Sequence, residues 1–162
     1  MRGTTVTRVA AIALGSNLAS EWGDRAANLR EAVRRVKRLG QVRAVSRFYD
    51  TAPVGYTDQP NFLNAAMLLE TELEPVELMR ALLAVERAMG RDRAAAVAKG
   101  PRVIDLDLLL MDDVVMVTEE LTLPHPAMAQ RRFVLEPLKQ IAPTLVDPLS
   151  GRTVAEMLAA VE

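Results

Sequence analysis

The run GPRVIDLDLLLMDD, residues 100–113, decides how the chain is to be read. It is among the most apolar stretches of the sequence, yet Asp105 and Asp107 stand inside it, just after Arg102. Burying an unpaired carboxylate costs on the order of several kcal/mol. The conflict disappears in a β-strand, where successive side chains alternate between two faces. Asp105 and Asp107 then share one face, roughly 7 Å apart at Cα for a rise of about 3.3 Å per residue, with Val103 and Leu109 flanking them. Ile104, Leu106, Leu108 and Leu110 point the other way, toward covering helices. The alternation predicts a strand with one packed face and one open face.

Outward from this strand the chain alternates between strand and helix signals. Residues 6–14 (VTRVAAIAL) are short, apolar and bounded by Gly-Ser-Asn, the pattern of a buried strand. Asp24 precedes a helical stripe of Leu29, Val33, Val36 and Leu39 that Gly40 can end. Residues 42–51, with Val45, Phe48 and Tyr49, read as a strand, and the turn-rich APVGYTDQP follows. FLNAAMLLET (62–71) reads as a further strand. Pro75 opens a helix with the stripe Leu78, Leu82, Val85 and Met89, ending at Gly90. After 100–113, Asp112-Asp113 turns the chain into a short strand, VVMVT. Past LPHP, the pattern around FVLEPL predicts one helix and TVAEMLAAV a last one. The order strand, helix, strand, strand, helix, strand defines an α+β fold of the ferredoxin-like split βαβ type. It has an antiparallel sheet, two helices on one face, and C-terminal additions.

With 162 residues the chain suits a single domain, 1–162. A net charge of −1 without charged tails favours neither nucleic acid nor membrane as partner. The absence of cysteine excludes disulfides and thiolate chemistry. The N-terminal apolar run is about half the length a membrane span needs, and helical patterning resumes directly after it, so the expectation is a cytoplasmic protein.

The carboxylate pair reads two ways. It is the polar side of an amphipathic strand, or it is a divalent-cation site, which would relieve the repulsion of two like charges on one face. Mg²⁺ is usually bound by one or two carboxylates together with substrate phosphates and water. Cations stand nearby: Arg91 and Arg93 open the preceding loop, and Lys99 and Arg102 close it. That loop, about a dozen residues between Gly90 and the strand, exceeds most connections in compact domains. It is either a solvated basic loop or a lid. Arginines that close on phosphate above a metal are the parts of phosphoryl transfer, which depends on positioning and charge neutralisation. Phe62 and Phe133, taken by themselves, read as core side chains. His125, the single histidine, is a structural residue or a catalyst.

GPRVIDLDLLL and the downstream LPHPAMAQRRFVLEPL resemble the 6-hydroxymethyl-7,8-dihydropterin pyrophosphokinase family of folate biosynthesis. IALGSNL and FYDTAPVGYTDQPNFLNAAMLLET match it as well, so the likeness covers about residues 8 to 158 in order. The resemblance implies the same ferredoxin-like fold and the transfer of pyrophosphate from ATP to the pterin hydroxymethyl group, releasing AMP. It implies two Mg²⁺ ions held by Asp105 and Asp107, with Arg91 and Arg102 beside them as catalytic residues. On the ATP side it implies Glu86, Arg91, Arg93, Arg102, Leu108, His125 and Arg131. For the pterin it implies Thr51, Ala52, Val54 and Asn64 at the ring edge and Phe62 and Phe133 on its faces, with Asp58 a weaker loop contact. It further implies small-molecule substrates alone and a monomer.

The chain departs from the family pattern in three places. Lys99 stands where some members carry a tryptophan before Gly-Pro-Arg, the Ala-rich loop is one residue longer, and Pro126 replaces an aromatic of some members. Two rival readings of the fold fit less well. A nucleic-acid module would present strand aromatics and a basic surface, and this chain has six aromatics and slight negative charge. A metal-sensing regulatory domain has no need of four cations around a D-x-D strand.

Overall fold

The computed structural model describes residues 6–53, 57–90 and 101–161. Val54, Arg91, Arg93 and Lys99, singled out above, lie outside these. The elements run β1 (Arg8–Ser16), α1 (Arg25–Val36), β2 (Gln41–Val45), β3 (Tyr49–Thr51), β4 (Phe62–Thr71) and α2 (Pro75–Ala88). They continue with β5 (Asp105–Met111), β6 (Met116–Val117), β7 (Thr122–Leu123), α3 (Arg132–Ile141) and α4 (Val154–Ala160). The main sheet is antiparallel in the order β2-β4-β1-β5, the split βαβ order the sequence predicts. Among the described residues no helix is long and apolar enough to cross a membrane.

Local chemistry sets the helix boundaries. The Asp24 side chain accepts from the Ala27 N–H at 2.9 Å and starts α1. Glu74 and Glu77 form a reciprocal capping box around Pro75 at the start of α2. Gly40 ends the first helical segment because a Cβ there would lie 2.2 Å from the Glu70 carbonyl oxygen.

Both faces of the sheet are covered. On one, Ile12, Leu14, Met67, Leu69, Leu106 and Leu108 pack with Leu29, Val36, Leu78 and Leu82 of α1 and α2. The opposite face, expected to be open, carries a second core in which Ala11, Ala66, Leu109 and Leu110 meet Val134, Leu135 and Leu138 of α3 and Met157 of α4. The C-terminal additions therefore close much of that face.

Three further expectations are corrected. Leu110 belongs to this second core, not to the helix side with Leu106 and Leu108. The pairing of β5 with β1 slips between Ile12↔Leu108 and Ala11↔Leu110, so Leu109 is the extra residue of a bulge and the alternation reverses after it. The strand expected at 42–51 is two strands on one edge of β4, β2 against its second half and β3 against its first. Buried Ser46 separates them, its hydroxyl accepting from the Ala66 N–H at 2.9 Å and donating to the Arg47 carbonyl at 2.7 Å. Finally, Met116–Val117 pairs with Thr122–Leu123 in a small separate sheet and not with β5.

Candidate active site

Two rungs across the central strands build the floor of the site. Asn64, Gly15 and Asp105 are cross-strand neighbours on β4, β1 and β5, and Ala66, Ala13 and Asp107 form the adjacent rung. The middle strand thus contributes no bulk between the amide and the carboxylates. Gly15 has no spare room, since a Cβ there would sit 3.0 Å from Asn64 Oδ1. Above this floor is a cavity of about 370 Å³ whose lining includes Thr51, Ala52, Phe62, Asn64, Arg102, Asp105, Asp107, Arg131 and Phe133.

Polar groups in this cavity are held in place. Asn64 Nδ2 donates to Thr51 Oγ1, joining β4 to β3. The Arg102 guanidinium pairs with Asp105 at 3.1 Å, both side chains largely buried. Arg102 Nε is buried and has no hydrogen-bond partner among the described residues. The Arg131 guanidinium stacks over the Phe133 ring at 5.8 Å from its centroid, fixing both at the N-terminus of α3.

A second cavity, of about 430 Å³, opens on the other side of β5. Leu82, Leu83, Leu106, Leu108 and Leu121 give it an apolar lining, and Thr122, His125 and Asp107 a polar one. Among the described residues, Asp107 is the one that lines both cavities. His125 Nδ1 accepts from the Ala127 N–H at 3.1 Å, so the neutral ring carries its proton on Nε2. Burial, and then the nearby Arg131 charge, push the His125 pKa below its ordinary value against the opposing pull of Asp105.

The structure thus brings Thr51, Ala52, Phe62, Asn64, Arg102, Asp105, Asp107, Arg131 and Phe133 to the first cavity and Leu108 and His125 to the second. Glu86 lies at neither. It is 1% exposed, and its Oε2 accepts from the Leu106 N–H at 2.7 Å, so it braces the strand between the two aspartates from the helix side. Asp58 is exposed and also lines neither cavity. Among the described residues no cluster of three or more His, Cys, Asp or Glu could hold a metal ion. The donor set at β5 is two carboxylates on one face, which fits Mg²⁺ completed by phosphate and water. The sequence reading missed Asn17, buried beside Arg102, whose only signal was its place in Gly-Ser-Asn at the end of a strand.

The fold and the site define an α+β domain with a carboxylate pair between two small-molecule cavities. The chain belongs to the 7,8-dihydro-6-hydroxymethylpterin-pyrophosphokinase (HPPK) family, whose model matches residues 11–143. It is 45% identical over 150 residues to the 2-amino-4-hydroxy-6-hydroxymethyldihydropteridine pyrophosphokinase of Methylorubrum extorquens, covering 91% of this chain and 90% of that one. It is 38% identical over 157 residues to the folic acid synthesis protein fol1 of Schizosaccharomyces pombe, covering 96% of this chain but only 21% of that protein. The fold matches a crystal structure of Plasmodium falciparum HPPK-DHPS with a TM-score of 0.75 at 14% identity, over 95% of this chain and 43% of that one.

Proposed function

We propose that this chain transfers pyrophosphate from ATP to the hydroxymethyl group of 6-hydroxymethyl-7,8-dihydropterin, a step of folate biosynthesis. Residues 1–162 then act as one pyrophosphokinase domain, a cytoplasmic monomer on small-molecule substrates. The observation that carries the reading is Asp107, at the junction of the two cavities with Asp105 beside it. A donor and an acceptor bound one on each side would meet at the carboxylates.

The pterin fits the first cavity, its flat ring between Phe62 and Phe133 and its polar edge against Thr51, Ala52 and Asn64. Val54, outside the described residues, is assigned to the same edge. The nucleotide base fits the apolar second cavity beside Leu108, and the Nε2–H of His125 is a donor for its phosphates. Arg102 and Arg131, with Arg91 and Arg93 from the loop outside the described residues, supply the cations that hold the triphosphate. Two Mg²⁺ ions at Asp105 and Asp107 would neutralise phosphate charge and polarise the attacking hydroxyl. Glu86 acts here as the brace of β5 and not as a nucleotide ligand.

In the reaction the pterin hydroxymethyl oxygen bonds to the β-phosphorus and the bond from that phosphorus to the α,β-bridging oxygen breaks. AMP leaves with the bridging oxygen, and the hydroxyl proton passes to solvent. Purified protein with MgATP and the dihydropterin alcohol is expected to yield AMP and the pterin diphosphate in equal amounts. Chromatography that finds ADP, or nucleotide turnover independent of pterin, would overturn the proposal.

A further inference from the structure

Asn17, the first residue past β1, is 2% exposed and joins three segments. Its Oδ1 accepts from the Arg102 N–H at 2.7 Å. Its Nδ2 donates to Gln59 Oε1 at 2.8 Å and to the Pro60 carbonyl at 3.0 Å. The orientation of the amide is fixed, because an N–H needs an acceptor on one side and a carbonyl needs a donor on the other. The backbone N–H groups of Asn17 and Leu18 both donate to the Arg102 carbonyl, at 2.9 and 3.1 Å. Arg102 is therefore gripped on both of its peptide groups by the end of β1.

The two partners lead to two different sets of residues that line the first cavity. Gln59 and Pro60 close the turn-rich segment and run directly into Phe62 and Asn64. Arg102 pairs with Asp105. Asn17 itself lines neither cavity, so it can act only through these neighbours. Buried networks of this kind are costly to leave half made, which makes the two arms of one amide interdependent. We propose that Asn17 is a positioning residue that couples the pterin-side segment to Arg102, setting the first cavity and the phosphate-side arginine by one side chain. The functional part of this inference rests on the activity proposed above.

Arg25 provides the contrast. Its guanidinium donates to the Asn61 carbonyl at 2.8 Å and to Asp50 at 2.9 Å, pinning the base of the same segment without reaching Arg102. The test compares amide hydrogen exchange in the free wild-type protein with that in Gln59→Ala, Arg25→Ala and Asn17→Ala. Gln59→Ala removes an acceptor of the Asn17 amide and is expected to speed exchange at the Arg102 N–H by about tenfold or more, although Gln59 does not touch that group. Arg25→Ala should speed exchange around Asn61 and Phe62 and near Asp50, and leave the Arg102 N–H unchanged. An Arg102 N–H unmoved by Gln59→Ala overturns the coupling, and this arm stands even where Asn17→Ala fails to fold.

Steady-state kinetics give the second readout. Asn17→Ala is expected to raise KM for both pterin and ATP by about tenfold, and Arg25→Ala to raise it for pterin alone. A rise for one substrate only in Asn17→Ala overturns the proposal. If the wild type shows no turnover, the activity reading fails, while the exchange experiment still decides the coupling.

Discussion

The two faces of the sheet are built from different side chains and do different work. Toward α1 and α2 the strands present Ile12, Leu14, Met67, Leu69, Leu106 and Leu108, branched or long residues that pack against the helices, with the second cavity opening beside Leu106 and Leu108. Toward α3 and α4 the central strands present Ala11, Ala13, Gly15 and Ala66, and the helix packs on one end of this surface while the other end stays hollow. Small residues leave room above them, and in that room stand Asn64, Asp105 and Asp107. The contrast teaches that one face supplies most of the packed core of the fold, while the other trades packing for the first cavity. Substitutions on the two faces should therefore sort into losses of stability and losses of turnover.

The largest effect is expected from Asp107→Ala. It removes the carboxylate common to both cavities, and turnover measured by AMP formation should fall on the order of 10³-fold or more, as when a group acting mainly on transition-state charge is lost. Thermal unfolding should move little, because the change relieves a like-charge pair instead of emptying a core. A large loss of melting temperature would erase the distinction between the faces. Leu69→Ala tests the other side. Leu69 is fully buried against the helices, and its truncation should cost about 2–5 kcal/mol by denaturant titration. At a temperature where the variant is still folded, kcat should remain near the wild-type value.

The strand–helix order was legible because each element carried its own period and caps: Asp24 before α1, Pro75 before α2, and the alternation of 104–108. The far face was less legible. Leu109 breaks the alternation through a bulge, and period-two reasoning has no way to see a register slip that arises from pairing with Ala11 and Ile12. Nor does a sequence say that α3 and α4 will close over alanines, since small residues on a strand look featureless until something packs on them. The two aspartates were legible as a pair on one face, and the family resemblance supplied most of the remaining cavity residues. Glu86, which the resemblance places near the nucleotide, lines neither cavity, and its Oε2 accepts from the Leu106 N–H. Asn17 was missed because its hydrogen bonds reach residues 42, 43 and 85 positions away.

The smallest effect concerns His125, which stands at the edge of the division between packing and ligand binding. Its ring is partly buried, and its pKa lies below the ordinary 6.5, first through burial and then through Arg131. In the unfolded chain it takes a proton near pH 6.5, while the folded ring resists it, so the unfolded state binds more protons as the pH drops below that value. The contribution to folding stability is therefore nil well above pH 6.5 and increasingly unfavourable below it. Stability must rise with pH across this window, by at most about 1.4 kcal/mol per pH unit for one proton. Urea titrations of the metal-free protein at pH 7.5, 6.5 and 5.5 should show the decline, and His125→Gln should lessen it over the upper part of that range, before the carboxylates begin to titrate. His125→Ala, which also removes the Nε2–H donor at the second cavity, should raise the ATP KM more than it lowers kcat. An unchanged ATP KM together with a lost pH slope would move His125 wholly to the packing side.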